Sequence, residues 1–572
     1  MRSLHEKEQV QWKRDADELM VPERIGSFRV HPLSFSRSIL RRVHRSQWQL
    51  TRTVFDLDES GNGDLVYRIE AEGSVFHFIL FSHEIIEEER SDRVVSDKWD
   101  MTCALSEGEF SAEKLERLRR QLPKQEGGRG EIQDLVWSRA NRSSRVFDDV
   151  AALLADGQQP NGELLSQTGY LVRSTAFYAN GKFGLAPFQK LSQDHPFAGA
   201  FRAQMFTAYL LRQASFDIVE HLASCKHADA VPLSQEWKRY LGVGNATGLG
   251  MVPFLMYHPK LIHRWIDMRE EAVSRVKNMP MTTEQTDAFR RWLKHSLAYF
   301  REYNVHGKGV FLSPEQMTEE CLTAIYALED MEKTMPPETL YWGTYMEMVK
   351  PALTAEGEEW IHSLLMEVNL DKLLDLEERS VVEETYDFEP TMRVETLIHI
   401  IESDYRWVFD FDFHDKKSQH YFWFRSREKE EPRIGVCGRD EGEEKALRLD
   451  YARQTQQVYA ALKQEPPTRT AAAFVRDYPH FKPMIKRMQS LTDSPYGEIH
   501  GNLLGENLIP LYLLRCKLSM FGAERFSPKS NEWVRVTLFQ GAPTMEKLQN
   551  DFREDWILPL LPDQGGITHG TR

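Results

Sequence analysis

The 572-residue chain contains no run of about 18 consecutive apolar residues, the length that a membrane-spanning helix requires. Its first residues, Met1-Arg-Ser-Leu-His-Glu-Lys-Glu-Gln9, also lack the apolar centre of a secretion signal. Cysteine is scarce. The five residues Cys103, Cys225, Cys321, Cys437 and Cys516 are scattered and include no Cys-x-x-Cys pair, which excludes a disulfide framework and a zinc ribbon. These absences together predict a cytoplasmic protein of a reducing compartment. Basic charge is in deficit as well: 72 Lys and Arg face 87 Asp and Glu, a net charge of -15. A generic polyanion binder, whose affinity rests on neutralising phosphates, is excluded on that balance. Among catalytic motifs, His-Glu-x-x-His, Gly-x-x-x-x-Gly-Lys-Ser/Thr, Gly-x-Ser-x-Gly and the kinase set are all missing, so no nucleotide motif is found.

The chain is long enough for several hydrophobic cores, on a prior of roughly 150 residues each. Trp48 to Phe81 reads as strands around the turn Asp58-Glu-Ser-Gly-Asn-Gly-Asp64. Tyr405-Arg-Trp-Val-Phe-Asp-Phe-Asp-Phe413 alternates, and His420-Tyr-Phe-Trp-Phe-Arg425 follows a polar turn, which predicts a second hairpin. Between them the apolar spacing is helical, and the acidic stretch Glu377 to Pro390 is the expected linker. The predicted class is α+β: a mostly helical centre with two small antiparallel sheet units, which a degenerate internal duplication would explain. The expected boundaries are 1–157 for an N-terminal α+β unit, 158–380 for a helical central region carrying the site, and 381–572 for a C-terminal α+β unit.

Two signatures carry the chemistry. Gly169-Tyr-Leu-Val-Arg-Ser-Thr-Ala-Phe-Tyr-Ala-Asn-Gly-Lys-Phe-Gly184 packs Arg173, Ser174, Thr175, Tyr178, Asn180 and Lys182 among glycines. There Arg173 suits a carboxylate clamp, Lys182 a point charge or base, and Tyr178 a proton donor; the competing reading is a polar loop bonded to itself. Gly242-Val-Gly-Asn-Ala-Thr-Gly-Leu-Gly250 reads as a loop feeding a helix N-terminus near Met251, with Asn245 and Thr247 beside a bound anion. The alternative is close packing through small residues.

Between the signatures, Asp217, Glu220 and His221 fall at spacings that share one helix face, as ligands for Fe, Mn or Zn would. Plain surface or capping roles compete with that reading. A second metal-binding element would have to be Glu395/His399/Glu402 or His263/Asp267/Glu270, and 19 histidines among 87 acids make such spacings common by chance. In Glu498-Ile-His-Gly-Asn502, His500 is a candidate base oriented by Glu498 or Glu506, with Asn502 to polarise a carbonyl.

The wording of Gly169–Gly184, Phe216–His221 and Gly242–Phe254 resembles a group of uncharacterised bacterial proteins, over about residues 165–275. That resemblance implies that the segments belong to one site, and it implies no activity. The function expected is an enzyme acting on a small anionic metabolite, a carboxylate or phosphate. A metal-dependent enzyme and a non-catalytic assembly protein using Tyr421-Phe-Trp-Phe424 remain alternatives, as does a homo-oligomer. A nucleic-acid surface on Arg37, Arg41, Arg42, His44, Arg45 and Arg52 is the weakest, since a solvated helix face explains it better.

Overall fold

A computed structural model of the chain describes residues 12–562 except 86–98, 124–129, 167, 175–190, 193, 200, 249–254, 256–257, 303–311, 381–385, 415–421, 427–431, 435–443, 449–450, 501–509 and 529–532. The class is α+β, with two compact units interleaved along the chain. Unit 1 comprises Met1–Arg29, Leu249–Phe289 and Thr323–Lys517; unit 2 comprises Val30–Gly248, Arg290–Leu322 and Leu518–Arg572. The boundaries expected near 157 and 380 do not coincide with this division.

The strands are β1 (Gln49–Leu57), β2 (Gly63–Ala71), β3 (Ser74–Ser82), β4 (Met101–Glu107), β5 (Asp134–Arg142), β6 (Tyr170–Ser174), β7 (Gly242–Gly248), β8 (Phe422–Ser426), β9 (Pro432–Ile434), β10 (Glu444–Arg448), β11 (Ala523–Pro528) and β12 (Trp533–Leu538). Unit 2 is built on one nine-stranded sheet, in the order β1-β2-β3-β4-β5-β6-β7-β12-β11. The first six strands form an antiparallel meander, as the Val, Ile, Phe and Tyr runs broken by glycine turns predict. From β6 to β7 the pairing turns parallel, which requires a crossover. That crossover contains the 25-residue helix Arg202–Lys226.

With helices labelled α1 (Phe35–Arg45), α2 (Ala112–Gln121), α3 (Arg202–Lys226), α4 (Pro259–Lys277) and α5 (Ala355–Val368), the layers of unit 2 follow from strand alternation. Val66, Ile79, Phe81, Ala104 and Trp137 face α2, which fills the space with Leu118 and Leu122. The neighbouring position Tyr67 points to the other face, where its hydroxyl donates to Asp217 of α3 at 2.7 Å. In unit 1, β10-β8-β9 form a separate three-stranded antiparallel sheet, and α4 begins with Pro259 at its first position, where a missing N–H costs nothing.

Three expectations need correcting. The two small sheets are in fact one of nine strands and one of three, because β11 and β12 join the N-terminal strands; these sheets supply no evidence for duplication. Tyr405–Phe413 is not a strand: Arg406–Asp410 is a 3-10 turn after helix Val394–Asp404. Buried Tyr405 and Val408 lie three apart, the repeat of that turn, and the Gln456 amide donates to the carbonyls of Val408 and Phe411 in place of a partner strand. Finally, Gly242–Gly248 is not a loop but strand β7, held between β6 and β12.

Glycine is required in β7 for a packing reason. A Cβ on Gly244 would lie 2.2 Å from the Tyr170 ring, and one on Gly242 would lie 2.2 Å from the Leu538 carbonyl. Gly244→Ala should therefore destabilise unit 2 by about 1–3 kcal/mol through overpacking against Tyr170, read as a lowered urea midpoint with an unchanged slope.

Candidate functional site

The two signatures meet in the centre of the unit 2 sheet. Arg173 of β6 lies opposite Gly244 of β7, so the segments are one strand spacing apart, about 4.8 Å. The Asn245 amide donates to the Ser174 carbonyl at 2.6 Å and ties the strands together. Ser138 and Ser174 hydroxyls approach to 3.5 Å on the same side. Thr175, Tyr178, Asn180, Lys182 and Asn502 lie outside the described residues, and Thr247 is placed only by its backbone, opposite Val534.

Strand alternation divides the predicted pocket. Paired positions share a face, so Asn141, Arg173, Gly244, Thr537 and Arg525 form one row across β5, β6, β7, β12 and β11. Arg139 and Arg535, two residues along their strands, belong to the same face. Ser174 and Asn245 belong to the opposite face and are buried. The structure thus separates Arg173 from Ser174 and Asn245, while gathering four guanidinium-bearing positions on the Arg173 side. Arg139 lies over the Trp99 ring at 4.6 Å, which fixes its planar head; Arg173 is half-buried. A face carrying several arginines favours an anion, and their forked geometry matches a carboxylate or phosphate.

Asp217, Glu220 and His221 do share the α3 surface, yet each is bonded to protein. Asp217 accepts from Arg52 at 2.5 Å, from Tyr67 and from Gln213 at 3.0 Å. Glu220 accepts the Leu233 backbone N–H at 2.9 Å and pairs with Lys238 at 2.7 Å. His221 Nε2 lies 2.9 Å from the Asp58 carbonyl and 3.5 Å from the Cys225 thiol. Among the described residues no group of three His, Cys, Asp or Glu is placed to hold a metal ion. The other proposed elements are likewise committed: Glu402 accepts from Tyr459 at 2.6 Å, and His263 accepts the Tyr496 backbone N–H at 3.3 Å.

His500 does not meet Glu498. That carboxylate is held by Arg487 Nη2 at 2.8 Å and by the Tyr405 hydroxyl at 3.1 Å. The His500 ring instead stacks on Trp407 at 5.0 Å, with Asp17 at 3.6 Å, and burial holds its pKa below the ordinary value. The basic helix α1 also turns inward: Arg37 and Arg41 are buried on Glu554, while Arg42 pairs with Glu72 at 2.7 Å.

The densest charge cluster, in unit 1, was not anticipated. Arg14 donates to Glu270 at 2.6 and 2.9 Å and to Glu359 at 2.6 Å. Arg24 reaches Glu358 at 2.6 Å, and Arg269 bonds Glu270 at 2.9 Å and also Glu359. Burial alone would raise the Glu270 pKa, but Arg14 overrides it and holds it at about 2. Three guanidinium groups thus balance three carboxylates, and the carboxylates are not available as bases. The acid-rich start of α5, Glu356-Gly-Glu-Glu359, was the visible signal, but it reads equally well as an exposed complement to the helix dipole.

Comparison with family models, curated proteins and solved structures gave no match to this chain. The packing of Asp217 is itself testable. Asp217→Ala leaves the buried Tyr67 hydroxyl without its acceptor and should cost about 1–3 kcal/mol in urea unfolding, whereas a residue needed only for a metal would leave the stability measured in excess chelator unchanged.

Proposed function

We propose that this chain is an enzyme acting on a small anionic metabolite, with Arg173 holding the substrate's carboxylate or phosphate group. The observation that carries this reading is the pairing of Arg173 with Gly244, which joins the two signatures in adjacent strands. Arg139, Arg525 and Arg535 occupy the same face as Arg173, and the forked guanidinium suits a carboxylate or phosphate. Because Asn245 and Ser174 are directed to the opposite face, their role in this reading is to fix the β6–β7 spacing rather than to touch substrate. Proton transfer falls to Tyr178 and Lys182, which follow Arg173 in the first signature.

The test is calorimetric titration of the full chain with a panel of mono- and dicarboxylates and phosphate esters. At least one should bind, and Arg173→Ala should weaken it by about 10-fold or more, the scale of a charge-assisted hydrogen bond. Arg173→Lys should restore only part of that loss, since an ammonium cannot form the two-pronged contact. An affinity unchanged in Arg173→Ala would refute the assignment.

A further inference from the structure

Gln540 follows β12 in a bend whose backbone is fixed on both sides. Phe539 before it and Gly541 after it have positive φ, at 58° and 86°. The Phe539 ring is fully buried and packs on Tyr209 at 5.5 Å and Trp556 at 6.2 Å, while the Gly541 N–H donates to the Arg239 carbonyl at 2.8 Å. The Gln540 side chain between these anchors is buried too, and its Nε2 has no hydrogen-bond partner among the described residues. A buried donor left in this way costs free energy that an apolar side chain of similar shape avoids. The amide is aimed at Gly169, where the first signature begins. A Cβ on Gly169 would lie 3.0 Å from Gln540 Nε2 and 3.3 Å from Arg525 Nη1, so the two donors converge there. The backbone of Gly169 is already engaged: its N–H donates to the Leu165 carbonyl at 2.8 Å, and its carbonyl accepts the Gly242 N–H at 2.9 Å. The hydroxyl oxygen of the preceding Thr168 is likewise buried with no partner among the described residues.

We propose that Gln540 and Arg525 form a second binding point on the arginine face, which takes one carboxylate of a dicarboxylate substrate while Arg173 takes the other. This second point rests on the reading of Arg173 as an anion holder and adds the far end of the ligand. Its chemistry follows from the groups present. An amide N–H, a guanidinium and a hydroxyl all donate, and a carboxylate accepts from several donors at once. Its place follows from the sheet. Arg525 shares the row of Arg173, and from the edge strand β11 its guanidinium reaches the start of β6 at Gly169. The Tyr170 ring lies over Gly244 of the same row, in the space that a side chain on β7 would otherwise fill. Gly169 and Arg173 are four residues apart along the chain, at most about 13 Å if extended, so the two carboxylates belong to separated ends of one ligand.

Calorimetric titration of the full chain with dicarboxylates of graded length, each beside the monocarboxylate of matching length, tests the second point. The variant is Gln540→Met, which keeps the reach of the side chain and removes its donor. At least one dicarboxylate should bind the native chain more tightly than its monocarboxylate. Gln540→Met should weaken that dicarboxylate by about 10-fold and leave the monocarboxylate unchanged. Because the amide has no partner before ligand binds, the same substitution should leave the urea midpoint of the unligated chain unchanged or raise it. A lowered midpoint would assign the amide to the fold and overturn the proposal. So would a dicarboxylate that binds no better than its monocarboxylate, an affinity untouched by Gln540→Met, or a loss equal for both ligands. Arg173→Ala separates this point from the reading on which it rests. If Arg173→Ala spares the dicarboxylate and Gln540→Met weakens it, the role of Arg173 fails and that of Gln540 stands; if no carboxylate binds the native chain, both fail.

Discussion

Unit 1 depends on charge balance among buried side chains. Moving six ionised groups into a protein interior costs several kcal/mol for each, and the cost is recovered only if every charge meets its opposite at hydrogen-bond distance. Arg14, Arg24 and Arg269 meet Glu270, Glu358 and Glu359 in this way, and they come from three parts of the chain: the N-terminal segment, α4 and α5. No one of these elements can shift without stranding a charge. The surroundings are consistent with that constraint. Phe28 packs on Trp265 at 5.9 Å and under the Arg269 guanidinium at 4.5 Å, and Trp12 lies 5.3 Å from the Lys277 ammonium.

Unit 2 uses guanidinium groups for a related purpose with different partners. Arg212 of α3 is almost fully buried and donates to the carbonyls of Leu241, Lys238, Ala542 and Pro543. Desolvation lowers its pKa to about 10, so it keeps its charge at neutral pH. One side chain thereby joins the crossover helix, the entry to β7 and the chain beyond β12. Arg37 and Arg41 make a similar tie from α1 to Glu554. On α1, Arg37 and Arg41 are thus directed into the protein, while Arg45 is exposed.

The sheet decides which polar groups in the signatures act together. Arg173 and Ser174 are neighbours in sequence, and in a strand neighbours face apart. Conversely, Arg173 and Arg525 are 352 positions apart and share a row because β7, β12 and β11 lie between β6 and the sheet edge. Gly244 lets the Tyr170 ring lie against the sheet within this row. The arginine face therefore arises from strand order, with the glycines of β7 serving close packing.

Local pattern was sufficient to identify β1 to β3 and the helical character of α3 and α4, because periodicity and turn chemistry act over a few residues. It was insufficient for Tyr405–Phe413, where alternating aromatics were overridden by the Gln456 amide bonding the Val408 and Phe411 carbonyls. The spacing of Asp217, Glu220 and His221 correctly placed them on one helix surface, but their partners Arg52, Tyr67, Lys238 and Asp58 lie on other elements. Burial of Glu359 and His362 was invisible for the same reason: a charged residue is stable in the interior only through partners that distant chain segments supply. The sequence by itself determined an α+β chain with five scattered cysteines, an acidic balance and two glycine-rich signatures. Only the tertiary structure decided that the signatures are adjacent strands, that Arg173 and Asn245 face apart, and that the N-terminal arginines are buried in unit 1, since strand pairing and charge compensation are both set by contacts between residues far apart in the chain.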